Sequence, residues 1–265
     1  MKIQSPLCLV AIIVHSNASA AVVFSQDFSA GGTTSSYVNA TTPTEGQWNA
    51  ISSTGASKVW SIASGGLELS SSGANSAFVS RTTDFSTVPL VAVVSFDLKL
   101  ISSSTALTSA VVLYFGTGFD DNNSGPSNSA VHSRFALNFT SANGFSVRDI
   151  NASTNGASTF TTGSYQITLV ANNSGSSYSY SAPDGTTETV ANDTWDLWVG
   201  NSKQLNDKNA TTASAAITDF KFGAVGNGTY SFGIDNISVS AVPEPAAALL
   251  GSLGVLGLLR RRRVA

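Results

Sequence analysis

Phe135-Ala136-Leu137-Asn138-Phe139-Thr140-Ser141-Ala142-Asn143-Gly144-Phe145-Ser146-Val147 is the stretch whose pattern decides the fold. Phe135, Leu137 and Phe139 fall on alternate residues with Arg134, Ala136 and Asn138 between them, which is the two-residue period of a strand with one apolar face. Asn143-Gly144 tolerates the positive φ angles of a tight turn, and Phe145 and Val147 then resume the alternation. The spacing predicts two antiparallel neighbours.

The same period recurs outward in both directions. In Leu90–Leu100, Phe96, Leu98 and Leu100 share one face while Ser95, Asp97 and Lys99 share the other. Ala110–Phe115 is apolar on both faces, as in the middle of a sheet. Tyr165-Gln166-Ile167-Thr168-Leu169 alternates, Asn172–Gly175 breaks the pattern, Tyr178 and Tyr180 resume it, and Asp184-Gly185 offers a turn. Phe220 and Phe222 flank Lys221, Asn227-Gly228 turns, and Tyr230–Val239 reads as a closing strand. There Phe232 and Ile234 are even but Ile237 and Val239 odd, so a bulge at Asp235-Asn236 is needed to keep all four in one core. No stretch shows a convincing helical period. Strands of this kind bury their apolar faces against each other, which predicts an all-β, two-sheet antiparallel β-sandwich as one domain over residues 21–241.

Both chain ends read differently from this body. Residues 1–20 carry Lys2, an apolar stretch Leu7–Val14 and the small-x-small site Ala18-Ser19-Ala20, the pattern of a secretory signal peptide cut after Ala20. Cys8, the single cysteine, lies within it, so the mature body has neither disulfides nor a cysteine-ligated metal. At the other end, Val242-Pro243-Glu244-Pro245 precedes an apolar run at 246–259 and then Arg260, Arg261, Arg262 and Arg263. Fourteen helical residues span roughly 21 Å against a hydrocarbon core of about 30 Å, which is short for lasting anchorage. The arginines following the run place the C-terminus on the cytoplasmic side. Removing Glu244 from the 16 acidic residues, and Lys2 and the four arginines from the 13 basic ones, leaves the body 15 acidic and 8 basic. A net charge of about −7 argues against nucleic acid as a partner.

Pro-Glu-Pro, the short apolar run and the terminal arginine block, in this order over residues 242–265, resemble the PEP-CTERM sorting signal of exported bacterial proteins. The resemblance implies export machinery and an exosortase-type processing enzyme as partners. It also implies transient anchoring of the hydrophobic helix in the inner membrane, followed by release to the cell surface or extracellular matrix. The body resembles the concanavalin A-like jelly-roll domains found upstream of such tails, through Gln26-Asp27-Phe28, Asp196-Leu197-Trp198-Val199 and Phe232–Val239. That likeness implies a structural calcium between opening and closing strands, with Asp27 and Asp235 as its ligands; the other reading is two solvated residues capping backbone groups.

Enzymes of that fold hold paired carboxylates on one strand. The body's glutamates, Glu45, Glu68 and Glu188, lack that spacing, Asp120-Asp121 reads as a solvated loop, and His132, the body's one histidine, is expected at a strand edge. No catalytic residue is expected. In Trp195-Asp196-Leu197-Trp198-Val199, period 2 sets Trp198 and Asp196 on the face opposite Trp195, Leu197 and Val199. An indole beside a carboxylate is the chemistry of a sugar subsite, and cover by a loop is the alternative. Trp60, beside Lys58, is a second candidate. The expectation is a non-enzymatic carbohydrate-binding or structural module of the exopolysaccharide matrix, with extracellular polysaccharide as partner. The rival is a polysaccharide-degrading or -modifying enzyme of the same fold.

Overall fold

The computed structural model describes residues 20–242; the leader and the sorting tail from Pro243 onward, Glu244, Pro245 and Arg260 to Arg263 included, lie outside them. Among the described residues no helix is long and apolar enough to cross a membrane. The strands in chain order are β1 (Ala21–Gln26), β2 (Ala50–Ser53), β3 (Lys58–Ala63), β4 (Gly66–Gly73), β5 (Ala77–Arg81), β6 (Val91–Ser103), β7 (Leu107–Gly116), β8 (Val131–Phe139) and β9 (Gly144–Asp149). They continue as β10 (Thr154–Asn155), β11 (Phe160–Thr161), β12 (Gly163–Asn172), β13 (Tyr178–Ser181), β14 (Thr187–Val190), β15 (Thr194–Val199), β16 (Ser202–Asn209), β17 (Asp219–Ala224) and β18 (Gly228–Val242).

Two large antiparallel sheets make a β-sandwich of jelly-roll type. The first runs β16-β15-β12-β6-β18-β4-β3, with β1 also on β18; the second runs β10-β9-β8-β7-β17-β5-β2, with β11 on β9. A small hairpin, β13–β14, stands apart from both. The Asn143-Gly144 turn joins β8 to β9 as the spacing predicts, with Asn143 at φ 55. Gly185, at φ 84, turns β13 into β14.

Alternation sends Phe96, Leu98 and Leu100 of the first sheet, and Phe135, Leu137 and Phe139 of the second, into one buried core. Trp48, from the loop before β2, meets Phe24 at 5.1 Å and Phe220 at 4.9 Å edge-on, so aromatic contacts join the two layers. Trp60 belongs to this core, against Phe232 at 5.9 Å. It is not the surface sugar platform suggested for it, because in β3 the alternation turns Lys58 and Trp60 inward and leaves Val59 52% exposed.

β18 is the seam of the first sheet. β6 lies along one side of it, while β4 pairs with Gly228–Ile234 and β1 with residues from Ile237 on along the other. Between these partners the register slips from Asp235 to Ser238, with Asn236 at φ 50. The bulge keeps Phe232, Ile234, Ile237 and Val239 all buried, as their parity required. It also fixes which residues face outward: Gly233 and Asp235 before it, Ser238 and Ser240 after it.

Candidate functional site

The outer faces of the two sheets have different fates. On the second sheet, Phe78, Val112, Tyr114 and Ala136 form an apolar patch packed with Phe119 from the following loop. The Asp120–Pro126 segment crosses this side. Asp121 accepts hydrogen bonds from Ser80 (3.2 Å) and Thr82 (2.8 Å), and buried Lys221 donates to the carbonyls of Asp120 (2.8 Å) and Asn122 (2.6 Å). Burial lowers the Lys221 ammonium to about 8, against the opposing pull of Asp121 and Asp120. The segment is exposed, as a solvated loop should be, but its backbone is pinned.

His132 opens β8 and is fully buried rather than at an exposed strand edge, where Thr211 and Thr212 donate back to the carbonyls of His132 (2.7 Å) and Val131 (3.0 Å). Neither ring nitrogen has a protein partner. Burial therefore pushes it down to about 4, with Asp193 pulling weakly the other way.

On the first sheet, cover is partial. Trp195, Leu197 and Val199 enter the central core, and Asp196 and Trp198 take the opposite face. The β13–β14 hairpin lies over that face. It buries Trp198 to 2% exposure with Val91, Val170, Tyr180, Ala182 and Val190. Trp198 Nε1 donates to Tyr180 Oη (3.0 Å), which donates to Asp196 Oδ2 (2.6 Å). Lys203 Nζ donates to Asp196 (3.0 Å), Glu188 (2.9 Å) and Asn206 (2.8 Å), and the Asp207 N–H donates to Asp196 Oδ1 (2.7 Å). Burial pulls the Lys203 ammonium down, but hydrogen bonds to Glu188 and Asp196 outweigh it and hold it raised. The Trp198–Asp196 pair is thus the anchor of the hairpin. Its indole is not presented to a sugar, because Tyr180 and its neighbours occupy the space beside it.

What the hairpin leaves open is a depression of about 390 Å³ between its Tyr178–Pro183 side and the outer face of β6, β12 and β18. Gln166, Thr168 and Ser240 supply hydroxyl and amide groups from the floor, and Tyr178 supplies a half-buried ring on the wall. A second depression, about 190 Å³, follows along the same three strands, lined by Ser164, Asp97, Lys99, Gly233 and Asp235, with Glu68 from β4. The ladder pairs Ser95 with Thr168 and with Ser238 between the two, so a row of small hydroxyls connects them. Sequence reading missed this row. Its trace was there: the even-numbered residues of Tyr165–Leu169 are polar, and a polar outward face reads as plain solvent exposure until a wall is known to stand beside it.

The carboxylates of the second depression face each other. Asp97 and Asp235 are register partners, and Asn236 Nδ2 donates to Asp97 Oδ2 (2.8 Å). Burial first, then the charges of Asp97 and Asp27, raise the Asp235 carboxyl, while the Asn236 N–H on its Oδ1 (2.7 Å) opposes the rise. Asp27 is exposed and lowered, because the N–H and hydroxyl of Ser29 both donate to its Oδ1 (3.1 and 2.8 Å). Calcium takes six to eight oxygen ligands. Among the described residues no three His, Cys, Asp or Glu side chains stand close enough together to hold a metal ion, the carboxylates of the second depression included, and Asp27 and Asp235 serve a turn and a bulge.

No family model matches this sequence, and no curated protein sequence is similar to it. Solved structures are similar in fold. A sialidase matches with a TM-score of 0.55 and 15% identity over 84% of this chain, and the chain spans only 19% of that protein. A carbohydrate esterase of a Shiga toxin-encoding bacteriophage matches over its whole length at 11% identity and a TM-score of 0.48, covering 85% of this chain. The carbohydrate-recognition domain of Emp46p, in a potassium-bound form, matches at 8% identity and a TM-score of 0.43, over 71% of this chain and 87% of that one. At these identities the likeness is one of fold, that of a two-sheet β-sandwich.

Proposed function

We propose that this chain is an exported, non-enzymatic carbohydrate-binding protein of the extracellular polysaccharide matrix, and that its ligand lies along the outer face of the first sheet. The observation that carries the reading is the open depression walled by Tyr178 and floored by Gln166, Thr168 and Ser240. A phenol ring offers a flat apolar surface to the C–H face of a sugar, and amide and hydroxyl groups on a rigid sheet fix its hydroxyls. Such a site needs no metal, so a melting temperature indifferent to chelator is expected. Affinity electrophoresis with a panel of polysaccharides tests the reading. Tyr178→Ala and Gln166→Ala should each weaken retention while the protein stays folded. Wild-type migration unaltered by every polysaccharide would sink it.

One observation favours the rival enzymatic reading: Asp97, Asp235 and Glu68 share the second depression, and Asp235 is raised beside its neighbours, as an acid beside an ionised partner would be. Asp235→Asn should then abolish turnover of a polysaccharide without abolishing its binding; no turnover by the wild-type protein leaves the binding reading.

The route to the matrix follows from the tail. With only fourteen apolar residues before four arginines, the tail is proposed to hold the protein at the inner membrane until an exosortase-type enzyme cuts near Pro-Glu-Pro. Intact mass of secreted material should then end at about Pro245. A mature protein retaining the arginines would contradict this route.

A further inference from the structure

Six large apolar side chains stay substantially exposed among the described residues: Val22, Val59, Val88, Leu90, Ile101 and Val225. Three of them share one end of the sandwich. Val22 pairs with Ser240, Ala21 with Ala241, and Val242 with Val91, which directly follows Leu90. Val88 stands two residues before Leu90, and Ala20 and Val242 both line the rim of the larger depression. Val22, Val88 and Leu90, exposed to 52%, 49% and 38%, therefore surround the points where the described chain begins and stops.

We infer that this end of the sandwich is a lipid-apposed surface, seated on the outer leaflet while the tail is still attached. The inference rests on the membrane reading of the tail. The ladder bonds reach Val242, and three residues, Pro243 to Pro245, separate it from the apolar run that starts at Ala246. The four steps from residue 242 to 246 reach at most about 14 Å, so a tail inserted at 246 keeps this end, and no other, close to the headgroups. Segments 20–24, 84–91 and 238–242 contain no Lys or Arg. Asp84 lies in the second of these segments, and Ser86 donates to Glu45 (2.9 Å), so the contact is apolar with an acidic fringe and gains nothing from anionic lipid, unlike a basic membrane-binding patch.

The test uses residues 21–265, the chain after removal of the leader and with the tail attached, which contains no cysteine, reconstituted in phosphatidylcholine vesicles. Val22→Cys, Val88→Cys and Leu90→Cys each carry a polarity-sensitive fluorophore. Ile101→Cys and Val225→Cys serve as references. Ile101 lies ten residues along β6 from Val91, about 33 Å away, and Val225 leads into Gly228 at the start of β18, opposite its Val242 end. All five positions are exposed, so labelling leaves the core intact. Labels at 22, 88 and 90 should shift to the blue on vesicle binding and be quenched by brominated lipid, with both references unchanged and with no gain when a third of the lipid is anionic. Protein that binds vesicles while all five labels behave alike overturns the inference and leaves the tail reading standing. Protein that fails to bind vesicles overturns the tail reading and this inference with it. A concentration-dependent shift without vesicles marks a contact between copies of the chain and overturns the lipid assignment.

Discussion

The outer faces of the two sheets are each crossed by a segment that a lysine pins, buried Lys221 on one and partly exposed Lys203 on the other, and the floors under the two segments differ. On the second sheet, Lys221 donates to carbonyls of a loop laid over apolar Phe78, Val112 and Tyr114. Covering those residues is favourable in itself, so the loop lies down. On the first sheet, Lys203 and Asp196 hold the β13–β14 hairpin over Trp198 at one side. Beyond Trp198 the floor turns to Thr168, Ser95 and Ser238, which gain little by being covered, and the cover stops. Where a roof ends is decided by the composition of the floor, and the site is the part of the face that nothing has reason to bury.

The sharpest way to break the comparison is at the hairpin's anchor. Trp198→Ala empties a fully enclosed site and strands the Tyr180 hydroxyl network, so a loss of about 3–5 kcal/mol is expected in guanidinium unfolding. A loss below about 1 kcal/mol would show that the hairpin stands without its anchor.

The next effect belongs to the roofed side. His132 is held down at about 4 against an ordinary 6.5, because its buried ring resists charge. Between pH 6.5 and 4 the unfolded chain takes up a proton that the folded chain refuses, so acidification costs stability, by about 3 kcal/mol in full. His132→Leu removes that cost. The stability difference between variant and wild type should grow in the variant's favour by about that amount from pH 7 to pH 4, read by urea unfolding at both. A difference independent of pH would mean that the ring is hydrated.

A smaller effect is expected from Lys221→Met, which keeps the packing on Phe78 but leaves the carbonyls of Asp120 and Asn122 without their donor. The loss should be about 1–3 kcal/mol. Amide exchange should quicken in Asp120–Pro126, while polysaccharide retention stays at the wild-type level. Retention lost with Lys221 would move the site to the other sheet. Smallest in stability is Tyr178→Ala, about 1 kcal/mol for a partly buried ring at the edge of the Trp198 cluster, and yet it is expected to weaken retention roughly five- to twenty-fold. Together these variants separate residues that hold a cover from those that a ligand meets.

Much of the fold was legible because a two-residue period needs only local information. Phe135, Leu137 and Phe139 announced a strand, Asn143-Gly144 its hairpin, and the parity change from Ile234 to Ile237 the bulge. The face of Trp198 was also legible, since alternation separates it from Trp195 and Leu197. What covers that face was not. The partner of Trp198 is Tyr180, eighteen residues earlier in another sheet, and no periodicity relates the two. Trp60 was misplaced for the opposite reason: with Lys58 on its own side it looked wet, but Lys58 is itself buried, its ammonium donating to the carbonyl of Gly226 (2.8 Å). The floor of the candidate site was not legible, because serine and threonine rows carry no sign of the wall beside them.

The seam position of β18 has a consequence for how the molecule comes into being. A chain emerges from its N-terminus, and β18 is the last strand to arrive, yet it lies between β6 on one side and β4 and β1 on the other. Until residues 228–242 are free, the first sheet is two separate pieces with a strand-wide gap, and the inner face of β1 has no neighbour to pair with. Assembly must therefore wait for nearly the whole body, and it closes contacts between residues more than two hundred apart, such as Ala21 with Ala241. Long-range closure of this kind makes folding slow, which leaves an unfinished chain open and threadable for as long as it is being delivered.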